Sequence, residues 1–150
     1  MTDNLQPLDE TTCLDLVRGV PVGRIAWAES DGRVSVLPVN FALDGNAIVF
    51  STAEGAKLNA VREGRLLTFE ADEFEPALRT AWSVLITGTA EIVTDPEEIR
   101  RLRALSLAPW TRAPENLLVR LTPRTVTGRR IPLHPGGVTR ENLGTTDDLP

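Results

Sequence analysis

A single cysteine rules out an internal disulfide and any metal site built from several thiolates. Cys13 falls in a helical pattern with Leu8, Thr12, Leu16 and Val17, which predicts a buried structural thiol rather than a nucleophile. Histidine is equally scarce: His134 stands alone beside two prolines near the C-terminus, a poor setting for a metal site or a serine-type triad. No run approaches the roughly eighteen apolar residues that span a bilayer, and Met1 to Glu10 is acidic without an apolar signal core, so a cytoplasmic location is expected. Excess positive charge is missing too. A net charge of -5 argues against nucleic acid or an acidic membrane as partner, so any bound anion must be held locally. Of the 16 basic residues only Lys57 is lysine.

The 150 residues, 41% hydrophobic and 25% charged, suit one compact domain. Asp9 to Val20 predicts an amphipathic helix, capped by Asp9 or Thr11 and ended by Gly19 and Pro21. Val22 to Glu29, Val34 to Leu43 and Ala47 to Thr52 predict a three-stranded meander, joined by the turns Ser30-Asp31-Gly32-Arg33 and Asp44-Gly45-Asn46. A short helix follows from about Gly55 until Gly64 stops it. Leu66 to Asp72 alternates as a strand; an acidic loop with Pro76 leads to a long strand, Trp82 to Val93, in which Gly88 marks a bend or bulge. Thr94-Asp95-Pro96-Glu97-Glu98 starts a helix reaching about Leu107, with Arg100, Arg101 and Arg103 alternating with the acids as a salt-laced exposed face. Asn116 to Leu121 and Thr125 to Ile131 read as one strand bent at Pro123. There is no internal repeat and no alternation of strand with long helix, which excludes a parallel Rossmann sheet. The expected fold is mainly β: a six- to seven-stranded antiparallel split β-barrel with two or three peripheral helices, over residues 1–131, and a mobile or partner-embracing tail over 132–150.

Lys57 follows Phe50-Ser51-Thr52-Ala53-Glu54-Gly55-Ala56. A compact ammonium suits a phosphate oxygen, Ser51 and Thr52 add hydroxyl donors, and Gly55 lets the backbone approach a ligand, so the segment reads as an anion cradle. Chance survival of one lysine in an arginine-biased sequence is the alternative. Other candidates stay open. Trp82 fits a core or interface position as well as a ligand contact, and Asn40 is either a ligand contact or a satisfied sheet residue. Arg129-Arg130 is a solvated strand end or an anion contact. Trp27 and Trp110 read as packing residues. Glu70 and Asp72 share a strand face, which with no histidine or metal motif beside them reads as a polar outer surface.

Val22-Gly23-Arg24-Ile25-Ala26, Leu37-Pro38-Val39-Asn40-Phe41, Ile48-Val49-Phe50-Ser51-Thr52 with Gly55-Ala56-Lys57-Leu58, Phe69-Glu70-Ala71-Asp72, Trp82-Ser83-Val84 and Thr127-Gly128-Arg129-Arg130-Ile131 occur in a meaningful order. In that order the chain resembles the pyridoxamine 5'-phosphate oxidase-like family of flavin-binding split barrels, in its small actinobacterial branch, from about Leu8 to Ile131. The resemblance implies a homodimer holding FMN, or the deazaflavin F420, in a groove between subunits. It implies that Lys57, Thr52 and Ser51 bind the phosphate, that Pro38, Val39 and Asn40 line the isoalloxazine edge, and that Trp82 and Ser83 close the site.

The sequence departs from the family at Ser51, where many relatives carry an arginine. Losing that guanidinium costs on the order of 1 to 3 kcal/mol of phosphate binding. Arg79, Arg129 or Arg130 is expected to replace it, or the site to favour F420 or weak FMN binding. The implied function is a flavin-dependent oxidoreductase acting on a small organic substrate, with no catalytic side chain assigned. The alternatives are a non-enzymatic flavin-nucleotide-binding or storage protein and a barrel acting only in protein interaction.

Overall fold

The computed structural model describes residues 5–105 and 116–133. Seven strands and three helices follow one another: β1 (Gln6–Leu8), α1 (Glu10–Arg18), β2 (Val22–Ala28), β3 (Val34–Asp44), β4 (Ala47–Thr52), α2 (Ala56–Arg62), β5 (Leu67–Glu75), β6 (Thr80–Ile92), α3 (Pro96–Arg103) and β7 (Leu117–Ile131). The sheet order is β1-β7-β4-β3-β2-β5-β6, and β6 also pairs with β7, so six strands close an antiparallel barrel with β1 as an extra edge. The expected β class, meander and three helices are all present.

Local chemistry accounts for the element ends. Asp9 caps α1, accepting a 2.7 Å hydrogen bond from the Thr12 amide. Asp95 caps α3 in the same way, at 3.2 Å from the Glu97 amide, with Pro96 in the first turn. The bend expected at Gly88 is real. The β6–β7 register shifts between Thr87 and Gly88, leaving Arg124 as the extra residue opposite them. A Cβ on Gly88 would sit 1.9 Å from the Thr122 carbonyl oxygen, so β7 can cross here only over a glycine.

The structure corrects several boundaries. β1 was not expected; its three residues pair with Gly128 to Arg130 and acquire a role only through that distant strand. α1 stops at Arg18, before Val20. β5 and β6 run on to Glu75 and back from Thr80 through residues that read as an acidic loop, because this part of the hairpin flares beyond the core and needs no apolar alternation. α3 ends at Arg103; Ser106 and Leu107, like Trp110, His134 and the tail from 134 onward, lie outside the described residues.

The barrel interior holds Ile25, Phe41, Ile48, Phe50, Leu67, Phe69, Val84, Ile86, Val119 and Leu121, with Phe41 and Phe69 edge-to-face at 4.7 Å between centroids. Full burial of such a side chain stabilises the fold by about 1.5–3 kcal/mol. Cys13 and Val17 of α1 and Leu58 and Val61 of α2 close the core, and Cys13 is the buried thiol its pattern predicts. Trp27 is a packing residue, its indole N–H donating to Glu29 at 2.9 Å. A second apolar cluster, Val49, Val93, Leu102 and Leu118, seats α3 on the outside of the barrel.

Charges lock that seat. Arg101 donates to both oxygens of Asp44, at 2.9 and 2.8 Å, and to Glu98; Arg120 reaches Asp44 at 3.3 Å and also binds Glu98. Arg101 is exposed and pairs with Glu98 along the helix, as the salt-laced face predicts, and the two also tie the helix to the β3 end and to β7.

Candidate functional site

β3 pairs with β4 only from Phe41, opposite Phe50, to Asp44; from Val34 to Asn40 it pairs with β2 alone. Past Phe41 and Phe50 the two strands part, β4 continuing through Ser51 and Thr52 beside Leu118 and Leu117 of β7. The barrel is split here. Pro38, Val39 and Asn40 stand on one lip; Ser51 and Thr52 stand on the other, followed by α2 with Lys57 in its first turn.

Lys57 is half-buried, its Nζ 5.6 Å from the centre of the Phe50 ring. Burial pushes its pKa down, and among the described residues no carboxylate pairs with it. The Phe50 ring face offsets part of the desolvation, but a half-buried ammonium without a counter-ion is an incomplete electrostatic unit. Beside it, the Thr52 side chain is buried and its hydroxyl donates to the Ala53 carbonyl at 3.2 Å, which leaves the oxygen's acceptor side to other partners. Ser51 is half-buried, Val39 is buried and Pro38 is exposed.

The other candidates lie elsewhere in the chain. Trp82 and Ser83 pair with Arg130 and Arg129, at the opposite end of β7 from Leu117 and Thr52. Arg79 sits in the turn joining β5 to β6, with φ of 51°, at that same far end. One chain thus gathers Ser51, Thr52, Lys57 and the Pro38-to-Asn40 lip, and sets Trp82, Ser83 and the three arginines apart from them. The arginine of α2 is Arg62, and a two-pronged pair with Glu54, at 2.7 and 2.8 Å, already neutralises it. Sequence reasoning missed both Phe50 as the floor under Lys57 and this Glu54–Arg62 latch on the loop before α2. The first was legible from the adjacent segment; the second depends on the chain turning back on itself.

On the barrel's outer face, Arg24 contacts Glu70 at 3.0 Å and Asp72 at 3.5 Å. Desolvation, with the neighbouring Asp72, pushes Glu70 up to about 7. Among the described residues no group of three or more His, Cys, Asp or Glu could hold a metal, and no helix is long and apolar enough to cross a membrane.

A closed antiparallel barrel split beside a lysine-bearing segment defines a class, and comparison with known proteins gives the family. A model of the pyridoxamine 5'-phosphate oxidase family matches residues 9–130, and the chain belongs to that family. It is 34% identical over 129 residues to an uncharacterized protein of Mycobacterium tuberculosis, Rv0080, covering 83% of this chain and 84% of that one. Among solved structures it resembles an FAD binding protein from Mycobacterium smegmatis, with 32% identity, a TM-score of 0.68, and 83% of this chain and 95% of that one covered. A conserved protein of unknown function from Corynebacterium diphtheriae is similar at 33% identity and TM-score 0.71, over 85% and 98% of the two chains.

Proposed function

We propose that this protein is a flavin-dependent oxidoreductase that holds the phosphate of a flavin nucleotide at Lys57. The observation that carries the reading is the half-buried ammonium with no counter-ion among the described residues, standing where the barrel splits. An anion there completes the electrostatics, Ser51 offers a hydroxyl to the same group, which Thr52 would join by turning its hydroxyl away from the Ala53 carbonyl, and the β3 lip from Pro38 to Asn40 supplies backbone to an isoalloxazine edge. The bound flavin would supply the hydride or electron chemistry; the chain's own residues bind, orient and shield it.

FMN is the first reading of the cofactor. FAD is the second, favoured by the Mycobacterium smegmatis relative and by charge: a phosphate monoester carries about -1.5 to -2 near neutrality, whereas each phosphate of FAD carries a single charge, which one lysine balances. The deazaflavin F420 is a third occupant that the family resemblance admits. Mass spectrometry of the ligand released from gently purified protein separates the three, and recovery of no flavin at all would sink the proposal. Binding without turnover of any added reductant would leave a flavin carrier or storage protein.

A homodimer belongs to the same reading. Trp82 and Ser83 can close a site at Lys57 only if a second copy brings them across, since β7 separates them within one chain. Val34 and Val36 are 68% and 54% exposed beside the open β3 edge, an apolar surface that a second copy would cover. Light scattering that finds a monomer at all concentrations would remove this part. With no membrane-crossing helix among the described residues, the cytoplasm is the proposed location.

A further inference from the structure

The flared end of the β5–β6 hairpin, together with the last residues of β7, carries an open cavity of about 400 Å³. Cross-strand register builds its wall in two rows. Phe74, Ala81 and Ile131 form an apolar row, which Leu5 flanks; Asp72, Ser83 and Arg129 form a polar row beside it. Residues two apart on a strand share a face, so both rows lie on one surface, while Trp82, between Ala81 and Ser83, borders the cavity but turns its side chain to the other face, against the barrel core. Phe74 is 65% exposed, although large aromatic side chains are ordinarily covered.

Three charges line the wall. Asp72 is engaged by Arg24 at 3.5 Å, and Glu73 belongs to the opposite face of β5 from Phe74. Arg129 remains: it shares the face of the apolar row, beside the Ser83 hydroxyl, and has no ion pair among the described residues. Apolar walls with a few convergent polar groups characterise small-molecule sites, and a planar guanidinium next to a hydroxyl donor matches a carboxylate.

We propose that this cavity binds a small planar aromatic carboxylate, its ring against Phe74 and Ile131 and its carboxylate on Arg129 and Ser83. If Trp82 and Ser83 also approach a flavin held by the second copy, the ligand is the substrate; that assignment rests on the oxidoreductase reading, while the binding itself does not. The cavity adjoins Trp82 and Ser83, so a single stretch of β6 would serve both the cofactor and its reaction partner.

The test is calorimetric titration of the flavin-free full chain with naphthoate and with its neutral amide. Wild type should bind naphthoate. Arg129→Gln, a change at an exposed residue, should weaken naphthoate by about tenfold or more, the worth of a charge-assisted pair, and leave the amide unaffected. Lys57→Ala should bind naphthoate as wild type does. No naphthoate binding at millimolar concentration overturns the proposal, as does equal affinity in wild type and Arg129→Gln. Loss in Lys57→Ala with retention in Arg129→Gln overturns it too, by placing the ligand in the cleft. The flavin reading fails on a different result, the absence of flavin in the released ligand.

Discussion

Charge is handled in opposite ways at the two ends of β4. Where β4 starts, Asp44 on the neighbouring strand, with Glu98, Arg101 and Arg120, forms a compensated set of two acids and two bases tying α3 to the barrel, with Glu91 on its rim 3.7 Å from Arg120. Where β4 ends, Lys57 is half out of water with the Phe50 ring beside it and, among the described residues, no carboxylate paired with it. Desolvating a charge costs free energy in both places. In the first the chain offsets that cost itself. In the second no such offset is found among the described residues, and the proposed flavin phosphate would supply it.

The largest expected effect breaks the second region and spares the first. Lys57→Ala should weaken flavin binding by roughly 10- to 150-fold, the equivalent of about 1.5–3 kcal/mol for a hydrogen bond to a charged group. The melting temperature of the flavin-free protein should hold or rise slightly, because the variant no longer desolvates an uncompensated ammonium. Fluorescence titration and a thermal melt on the same preparation check both halves. Equal losses in the two would show that Lys57 is a structural residue.

The compensated set should behave in the reverse way, costing stability and leaving flavin affinity unchanged. The two guanidinium groups hold the Asp44 carboxyl down to about 2 from an ordinary 3.8, with the Arg101 hydrogen bonds contributing most. A depressed carboxylate contributes its stability above the unfolded value and loses it as pH falls through the folded one, so the loss belongs between about 4 and 2. After solvent screening the contribution is about 1–2 kcal/mol. Asp44→Asn should remove that amount at neutral pH and flatten the acid limb of a denaturation series over the same interval. Arg120→Met tests the other side of the set, since it leaves two carboxylates to Arg101 alone; urea denaturation should report a loss of similar size.

Much of the fold was legible because the signals are local. Asp31-Gly32 and Asp44-Gly45 set the hairpins, Asp95-Pro96 starts α3, and Gly88 marks the crossing of β6 and β7. What escaped needs residues far apart in sequence. Gln6 to Leu8 become a strand only against Gly128 to Arg130, and Asp44 meets Arg120 only once α3 has docked. The site divides along the same line. Ser51, Thr52 and Lys57 occupy one stretch of chain, so their common end of the barrel could be read directly. The position of Trp82 and Ser83 at the other end depends on the full length of β7, which no local pattern encodes.

The smallest expected effect comes from a third balance, the mirror image of Lys57. Arg24 faces two carboxylates, Glu70 and Asp72, so one negative charge is surplus, and Glu70 is the less exposed of the two. Desolvation and then Asp72 raise Glu70 from 4.5 to about 7, outweighing the help from Arg24. A carboxyl raised on folding has the opposite sign to Asp44: its contribution is fully present below 4.5 and is lost as pH rises to about 7. Glu70→Gln keeps a neutral group there, so it should abolish that part of the decline and melt higher than wild type at pH above the folded value, with no change in flavin affinity. Thermal melts of the two proteins across that interval are the measurement. Parallel curves would mean that Arg24 balances both acids after all.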